Sequence, residues 1–82
     1  MEASAGSTIE HCLRERFPRG RIVVSSADGI HFRLEVTDAS FVGMGTLARH
    51  RLVQQLIAPF MTSGLVHAIE VHPRTPDEER TA

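Results

Sequence analysis

Several residue types are scarce or absent in this sequence of 82 residues, which has no tryptophan, no tyrosine, no lysine and one cysteine, Cys12. A single cysteine excludes an internal disulfide and suits a reducing compartment. No apolar run approaches the ~18 residues needed to span a bilayer. Residues 1–6 lack the basic and apolar blocks of a signal peptide. We therefore expect a cytoplasmic protein, or a mature form already processed, that has no membrane partner.

Signatures of enzymes are also absent. The sequence contains no P-loop, no nucleophile elbow, no Cys–His pair at a useful spacing and no pair of carboxylates in an apolar setting. A domain of this length buries only about 60% of the surface that its unfolded chain exposes, which leaves little sequence for an elaborate active site. We predict that the protein is not an enzyme.

The charge of the chain is nearly balanced, with a formal net charge of −1. Proteins that bind nucleic acid usually carry a basic excess for phosphate contacts, so this balance argues against a dedicated one. The basic residues are all Arg and are unevenly distributed, with a group near the amino terminus formed by Arg14, Arg16, Arg19 and Arg21. Two interpretations of this group therefore remain: a local basic patch, or, more simply, solvated side chains on the surface.

The amino-terminal half predicts one helix followed by two strands. Apolar residues at helical spacing predict a helix over residues 7–17, and Ser7 and Glu10 have the spacing of a capping box at its start. A β-branched run predicts a strand over residues 21–25. Strict alternation of apolar and polar residues predicts a second strand over residues 30–37, with one buried and one wet face.

The connection between these two strands carries the strongest turn signal in the chain. Asp28-Gly29 predicts a tight hairpin, because both residues tolerate positive φ. After this turn Phe32, Leu34 and Val36 alternate with polar side chains. We expect these three apolar side chains to face the core.

The carboxyl-terminal half predicts a connector, a long helix and a third strand. The connector covers residues 38–45, with a single helical turn that Phe41 attaches to the core. The helix covers residues 46–61 and is expected to be capped by Thr46. Its expected apolar stripe consists of Leu47, Leu52, Val53, Leu56, Ile57, Phe60 and Met61. A strand over residues 66–71 follows, and the residues after it look irregular.

The order of these elements predicts an α+β fold with a three-stranded sheet packed by helices on one side. Neither an internal repeat nor a linker interrupts the pattern. We therefore expect one domain over residues 7–76, with flexible termini at residues 1–6 and 77–82.

Three stretches of the sequence together resemble the BolA family, across roughly residues 17–79. The first is DGIHF at residues 28–32. The second is FVG at residues 41–43, followed by RHRLV at residues 49–53. The third is VHAI at residues 66–69, followed by TPDE at residues 75–78. The short hairpin of the first stretch is most similar to the bacterial branch of this family, and the combination is more specific than any piece alone.

The resemblance implies a class II KH-like fold with the order α-β-β-α-α-β. It also implies a monothiol glutaredoxin as partner, with a [2Fe–2S] cluster shared between the two proteins and no cofactor on the chain alone. In such complexes the glutaredoxin supplies a cysteine, glutathione supplies a thiol, and the BolA protein supplies a histidine and a second ligand from a loop. The histidine that matches the family pattern is His67.

The second ligand is left open by the resemblance. Family members often have a Cys or His in the loop between the first two strands, where this sequence has no Cys. His31 is the imidazole nearest to that loop, and we take it as the candidate. Two alternatives stay open: His31 is a plain strand residue, or Asp28, at the tip of the loop, is the ligand.

The rival interpretation is a nucleic-acid-binding regulator of transcription or of a stress response. It rests on the KH-like topology and on a surface formed by Arg49, His50 and Arg51, for which DNA or RNA would be the partner. Spacing places Arg49 on the buried side of its helix, so Arg51 is the better surface candidate. The G-x-G at residues 43–45 departs from the G-x-x-G loop that clamps nucleotides in KH domains. Without a partner we expect a monomer or a weak homodimer.

Overall fold

The described part of the chain contains three α-helices and three strands. A computed structural model of the chain describes residues 5–64 and 68–81. The elements are α1 (Ala5–Arg16), β1 (Arg21–Ser25), β2 (His31–Thr37), α2 (Thr46–Thr62), β3 (Ala68–Arg74) and α3 (Pro76–Thr81). A 3₁₀ turn, Ala39–Phe41, lies between β2 and α2. None of the helices in the described part of the chain is long and apolar enough to cross a membrane.

The strands form one sheet in the order β1-β2-β3. β1 and β2 are antiparallel and are joined by the hairpin that Asp28-Gly29 predicts, where Gly29 has a φ of 81° in the left-handed region. β2 and β3 are parallel, so the chain crosses over between them, and α2 forms this crossover. The register aligns Leu34 of β2 with Val24 of β1 and Val71 of β3, which places three apolar side chains on one face.

The core lies between this face of the sheet and the helices α1 and α2. Its buried apolar residues are Ile9, Leu13, Phe17, Ile22, Phe32, Leu34, Val36, Phe41, Val53, Ile57 and Val71. The alternation predicted for β2 is therefore confirmed at Phe32, Leu34 and Val36, although Thr37, expected on the wet face, is also buried. The predicted mixed α+β fold with a helix-packed three-stranded sheet is confirmed, and assignment to the KH class stays a prediction.

Both helix caps predicted from local spacing are wrong. Ser7 lies inside α1 rather than at its cap, and Glu10 pairs instead with Arg14, with 3.0 Å between Oε2 and Nε. At α2 the N-cap residue is Gly45, which offers no side-chain hydrogen bond, and Thr46 is the first helical residue. A hydroxyl can cap a helix only where the chain leaves helical geometry at that residue, and in both cases the helix begins earlier.

The predicted apolar stripe of α2 is too wide. Val53 and Ile57 are buried, but Leu47 is 62% exposed and Met61 is 40% exposed. Leu47 precedes Val53 by six positions, which puts it roughly 120° around the helix axis from the buried side. Met61 shares the buried side but lies in the last turn of the helix, beyond the fully buried core.

Residues 72–74 and 76–81 lie in regular secondary structure, so the irregular segment predicted for them is wrong. β3 continues to Arg74, and α3 follows at once, adding a helix to the predicted order. Thr75 and Glu78 form the capping box of α3. The Glu78 N–H donates to Thr75 Oγ1 at 3.2 Å, and the Thr75 N–H donates to Glu78 Oε1 at 2.8 Å. Pro76 occupies the first helical position, where its missing N–H has no cost.

Replacement of Thr75 by alanine is expected to lower the free energy of unfolding by about 1 kcal/mol, because it removes the hydroxyl that satisfies the Glu78 N–H. Urea denaturation followed by circular dichroism measures this change. Thr75→Ser is the matched control, since it keeps the hydroxyl and should retain most of the stability. Equal destabilisation by both substitutions would show that the methyl group, and not the cap, carries the effect.

Candidate functional site

The loop between β1 and β2 is organised by one carboxylate, that of Asp28. Its Oδ1 accepts the backbone N–H of Ile30 at 3.0 Å and that of His31 at 2.9 Å. Its Oδ2 lies 2.5 Å from Nδ1 of the His31 ring. Ser26 Oγ completes the turn, accepting the Gly29 N–H at 2.8 Å and donating to Asp28 Oδ1 at 3.3 Å. The same side chain therefore holds both the loop backbone and the imidazole.

These contacts act on the ionisation of Asp28. The hydrogen bond from the backbone N–H of His31, followed by that from Ile30 and by the His31 ring, holds the pKa of the Asp28 carboxyl well below its ordinary value. Asp28 is thus a carboxylate at neutral pH and acts only as an acceptor. The His31 nitrogen that faces it must be the donor. In a neutral ring this leaves the lone pair on Nε2.

Of the two histidines predicted to bind metal, the structure describes His31. His31 begins β2, and its partner in the parallel register is Ala68, the first residue of β3. The Ala68 N–H donates to the carbonyl oxygen of Ile30 at 3.4 Å. His67 lies outside the described residues, but it directly precedes Ala68 in the sequence.

A shallow groove of about 560 Å³ lies at this end of the sheet, where β1 ends and β2 and β3 begin. It is lined by Ser25, Ser26, Ala27, His31, Phe32, Arg33, Ala68, Ile69 and Glu70. Glu70 is already engaged there by neighbours on both strands, with Oε2 3.9 Å from Arg33 Nη1 and Oε1 3.0 Å from His72 Nε2. The geometry of the contact with His72 is not that of a hydrogen bond, and His72 Nε2 has no hydrogen-bond partner among the described residues. The His31 side chain is 59% exposed and therefore accessible to a partner.

The described residues do not by themselves form a complete metal site. Across residues 5–64 and 68–81, no three His, Cys, Asp or Glu side chains are grouped so that they could hold a metal ion. Cys12 is not a candidate ligand, because its Sγ faces the Leu56 carbonyl oxygen at 3.5 Å and burial raises the pKa of its thiol. A site that includes His31 must therefore draw ligands from residues outside these ranges or from another molecule.

The three residues proposed as a partner or nucleic-acid surface have different environments. Arg49 is turned inward, as predicted, with its side chain 15% exposed. Its Nε donates to the Met44 carbonyl oxygen at 2.9 Å. His50 is half-buried, with Nδ1 2.8 Å from the carbonyl oxygen of Thr46 and Nε2 3.1 Å from that of Val71. Arg51 is exposed. The three side chains do not share one exposed surface.

Arg49 also attaches α3 to the rest of the domain. Its Nη1 lies 2.6 Å from Oε1 of Glu78, the capping residue of α3. The next residue, Glu79, makes a second attachment, with Oε1 2.6 Å from Nη1 of Arg21. No sequence pattern links these residues. The pairing follows from the position of α3 at the end of the sheet.

Acidification is expected to weaken the attachment of α3. The hydrogen bond from Arg49, followed by that from the Thr75 N–H, lowers the pKa of Glu78 from its ordinary value of 4.5. A group with a lowered pKa in the folded state stabilises the fold above its unfolded pKa and loses that contribution as the pH falls through its folded pKa. Its contribution is therefore present at neutral pH and is lost progressively below a pH of about 4.5.

The substitution Glu78→Gln tests this expectation, because it removes the charge and keeps a side-chain oxygen that can accept the Thr75 N–H. Urea midpoints of the wild type and the variant, measured at about pH 7 and about pH 3, give the comparison. We expect the wild type to be the more stable at neutral pH and the difference to shrink in acid. A difference that does not change with pH would contradict the role of the Glu78 charge.

The site residues and most of the fold lie within a segment that matches a known family. Residues 9–78 match the family model of BolA-like proteins. The chain belongs to the BolA family. The human BolA-like protein 1 is 33% identical to it, in a match that covers 98% of this chain and 61% of that protein. The chain spans only about half to three fifths of the length of the curated relatives that it matches.

Solved BolA structures have the same architecture. BolA1 from Arabidopsis thaliana superposes with a TM-score of 0.84 at 26% identity, covering 95% of this chain and 98% of that one. The BolA domain of SufE1 from Arabidopsis thaliana superposes with a TM-score of 0.83 at 26% identity, covering 95% and 99%. The second case shows the BolA fold as one domain of another protein. The resemblance inferred from DGIHF, RHRLV, VHAI and TPDE is therefore confirmed.

One contact of the site was missed by sequence reasoning. Asp28 and His31 were treated as alternative ligands, whereas the structure joins them as a hydrogen-bonded pair. The signal that was available is the short polar side chain of Asp28 at a turn. Such a side chain bonds to the backbone two or three residues further on, and so reaches the residue that begins the next strand.

Proposed function

We propose that this BolA-family protein partners a monothiol glutaredoxin and supplies histidine ligands to a [2Fe–2S] cluster that bridges the two proteins. The glutaredoxin supplies a cysteine and glutathione supplies a thiol, as the family resemblance implies. This chain supplies His67 and His31. The observation that carries the proposal is the accessible His31 imidazole, whose Nδ1 is occupied by Asp28 and whose strand partner is Ala68, the residue after His67.

The chemistry of the available groups agrees with this assignment. Histidine can replace thiolate on one iron of a [2Fe–2S] cluster. A ligating histidine needs a partner on its other ring nitrogen, and the carboxylate of Asp28 is such a partner. The one thiol of the chain, at Cys12, is engaged with Leu56 and has a raised pKa, so a thiolate from this chain is not expected. Imidazole is then the ligand type that this protein offers.

Anaerobic reconstitution tests the proposal. An equimolar mixture of this protein, a monothiol glutaredoxin and glutathione is loaded with iron and sulfide, and is followed by size exclusion and visible circular dichroism. We expect a heterodimer whose spectrum differs from that of the glutaredoxin homodimer. If the cluster remains on the glutaredoxin homodimer in the presence of this protein, the proposed function is wrong.

The alternative of a KH-like nucleic-acid-binding regulator stays a prediction with less support. The Arg residues that suggested a basic patch are largely engaged within the protein. Arg14 pairs with Glu10, and Arg21 pairs with Glu79. Arg16 lies over the ring of Phe17, with 5.0 Å between its Cζ and the ring centroid. Nucleic-acid binding driven by counterion release needs arginine side chains that are available to pair with phosphates.

A further inference from the structure

We propose that Asp28 is a positioning residue for the cluster, because it accepts the Nδ1–H of His31 and so makes Nε2 the nitrogen through which His31 binds iron. This inference rests on the proposed function and deepens it. It also assigns different roles to two residues that the sequence left as alternatives, since His31 becomes the ligand and Asp28 its orienting partner.

Both carboxylate oxygens of Asp28 already have partners within the protein. Oδ1 is occupied by the backbone N–H groups of Ile30 and His31, and Oδ2 by the His31 ring. Iron bound directly to Asp28 would compete with these contacts for the same two oxygens. Releasing them would free the loop backbone as well as the ring. The geometry therefore favours Asp28 as an acceptor inside the protein and not as a ligand.

The contact with Asp28 determines which nitrogen of the His31 ring carries the proton. A neutral imidazole has one N–H and one lone pair, and the hydrogen bond made by one nitrogen decides which nitrogen remains available. With the carboxylate 2.5 Å from Nδ1, the proton lies on Nδ1 and the lone pair on Nε2. Glu70, the carboxylate that lines the groove, lies beside Arg33 and His72, whereas Asp28 is the carboxylate in contact with the His31 ring.

Asp28 also fixes the orientation of the His31 ring. A side chain that is 59% exposed would ordinarily sample several rotamers. Because Asp28 binds the ring and also the N–H of the same residue, the ring is held relative to the start of β2. A carboxylate behind a ligating histidine fixes the tautomer and ring orientation, and its loss typically costs 10–100-fold in metal affinity, a range known from other metal sites.

Asp28→Asn is the variant that separates these roles. The amide keeps an oxygen that can accept the backbone N–H groups, but it presents an NH₂ group, a donor, to Nδ1. The proton of the His31 ring should then move to Nε2. Ser26→Ala is the matched control. It removes hydrogen bonds to Gly29 and Asp28 in the same loop, while the carboxylate remains next to the ring.

Two readouts are needed, one of which does not involve the cluster. In the cluster-free protein, two-dimensional NMR of the histidine ring nitrogens should show the Nδ1–H tautomer for His31 in the wild type and in Ser26→Ala, and the Nε2–H tautomer in Asp28→Asn. In the heterodimer with glutaredoxin, transfer of the cluster to a chelator should be about 10-fold faster for Asp28→Asn. Ser26→Ala should stay close to wild type.

The possible failures are distinguishable. An Nε2–H tautomer of His31 in the wild type would overturn the role of Asp28 and leave the proposed function unaffected. The same would follow if Asp28→Asn lost its cluster no faster than the wild type while His67→Ala lost its cluster. Acceleration by Ser26→Ala equal to that by Asp28→Asn would mean that loop order, and not the ring contact, matters. If the wild type forms no mixed cluster at all, the proposed function and this inference are both wrong.

Discussion

Replacement of Phe41 by alanine is expected to lower the free energy of unfolding by about 3–5 kcal/mol. Phe41 is fully buried in the short connection between β2 and α2, and its ring centroid lies 5.4 Å from that of Phe17. Its removal leaves a cavity and ends this ring contact. Domains have roughly 0.05–0.15 kcal/mol of stability per residue, so the loss is a large part of what an 82-residue chain can have.

Urea denaturation measures the effect of this substitution. The adjacent substitution Val42→Ala is the control, because Val42 is 68% exposed and should change stability by no more than about 0.5 kcal/mol. If Phe41→Ala cost as little as Val42→Ala, the turn at Ala39–Phe41 would not attach the connector to the core as described.

Replacement of either His67 or His31 by alanine is expected to weaken retention of the bridging cluster by more than about 10-fold. Loss of a group that only hydrogen-bonds to a ligating histidine already costs about 10–100-fold in metal affinity, and loss of the ligand itself should cost more. The physical reason is the loss of an imidazole for which this chain offers no thiolate substitute. Cluster absorbance and circular dichroism of the reconstituted heterodimer measure the change.

His11→Ala is the control for these two substitutions. His11 is an exposed residue of α1 that pairs with Glu15, and it should leave the cluster unchanged. Far-ultraviolet circular dichroism checks that the variants remain folded. Retention of the cluster by His31→Ala at the wild-type level would remove His31 from the ligand set and restore the alternative of another loop ligand.

The parts of the fold that could be predicted depend on local sequence patterns, each of which is compatible with only one backbone structure. Asp28-Gly29 predicts a hairpin because the turn requires positive φ, and Gly29 adopts it. The alternation of Phe32 and Leu34 predicts a buried face because side chains on a strand alternate between its two faces. These signals do not depend on what packs against them.

The errors arose where a pattern is satisfied equally by more than one local geometry. The Ser7 spacing occurs inside a helix as well as at its start. Leu47 is apolar but lies off the buried side of α2. The capping box of Thr75 and Glu78 is a proper S/T-x-x-E signal, yet the short segment after it has no apolar periodicity to support a helix. Its stability comes from tertiary contacts such as Arg49 with Glu78, which are distant in sequence.

The candidate site could be predicted in part. The resemblance implies His67 as a ligand and leaves the second ligand open, with His31 as the candidate. The structure places His31 beside Ala68 through the parallel pairing of β2 and β3. That adjacency depends on strand register, which the sequence alone does not specify for a parallel pair. The hydrogen bond between Asp28 and His31 depends on side-chain conformation in the loop, and it changes how the two residues are interpreted.

The central claim is that imidazole nitrogen from this chain binds the shared cluster. Pulsed electron paramagnetic resonance of the reduced heterodimer, with histidine of this protein labelled with ¹⁵N and the glutaredoxin unlabelled, tests that claim directly. We predict ¹⁵N hyperfine coupling to the cluster, and fewer coupled nitrogens in any cluster that His67→Ala or His31→Ala retains. A mixed complex whose cluster shows no coupling to ¹⁵N from this chain would contradict histidine ligation by this protein.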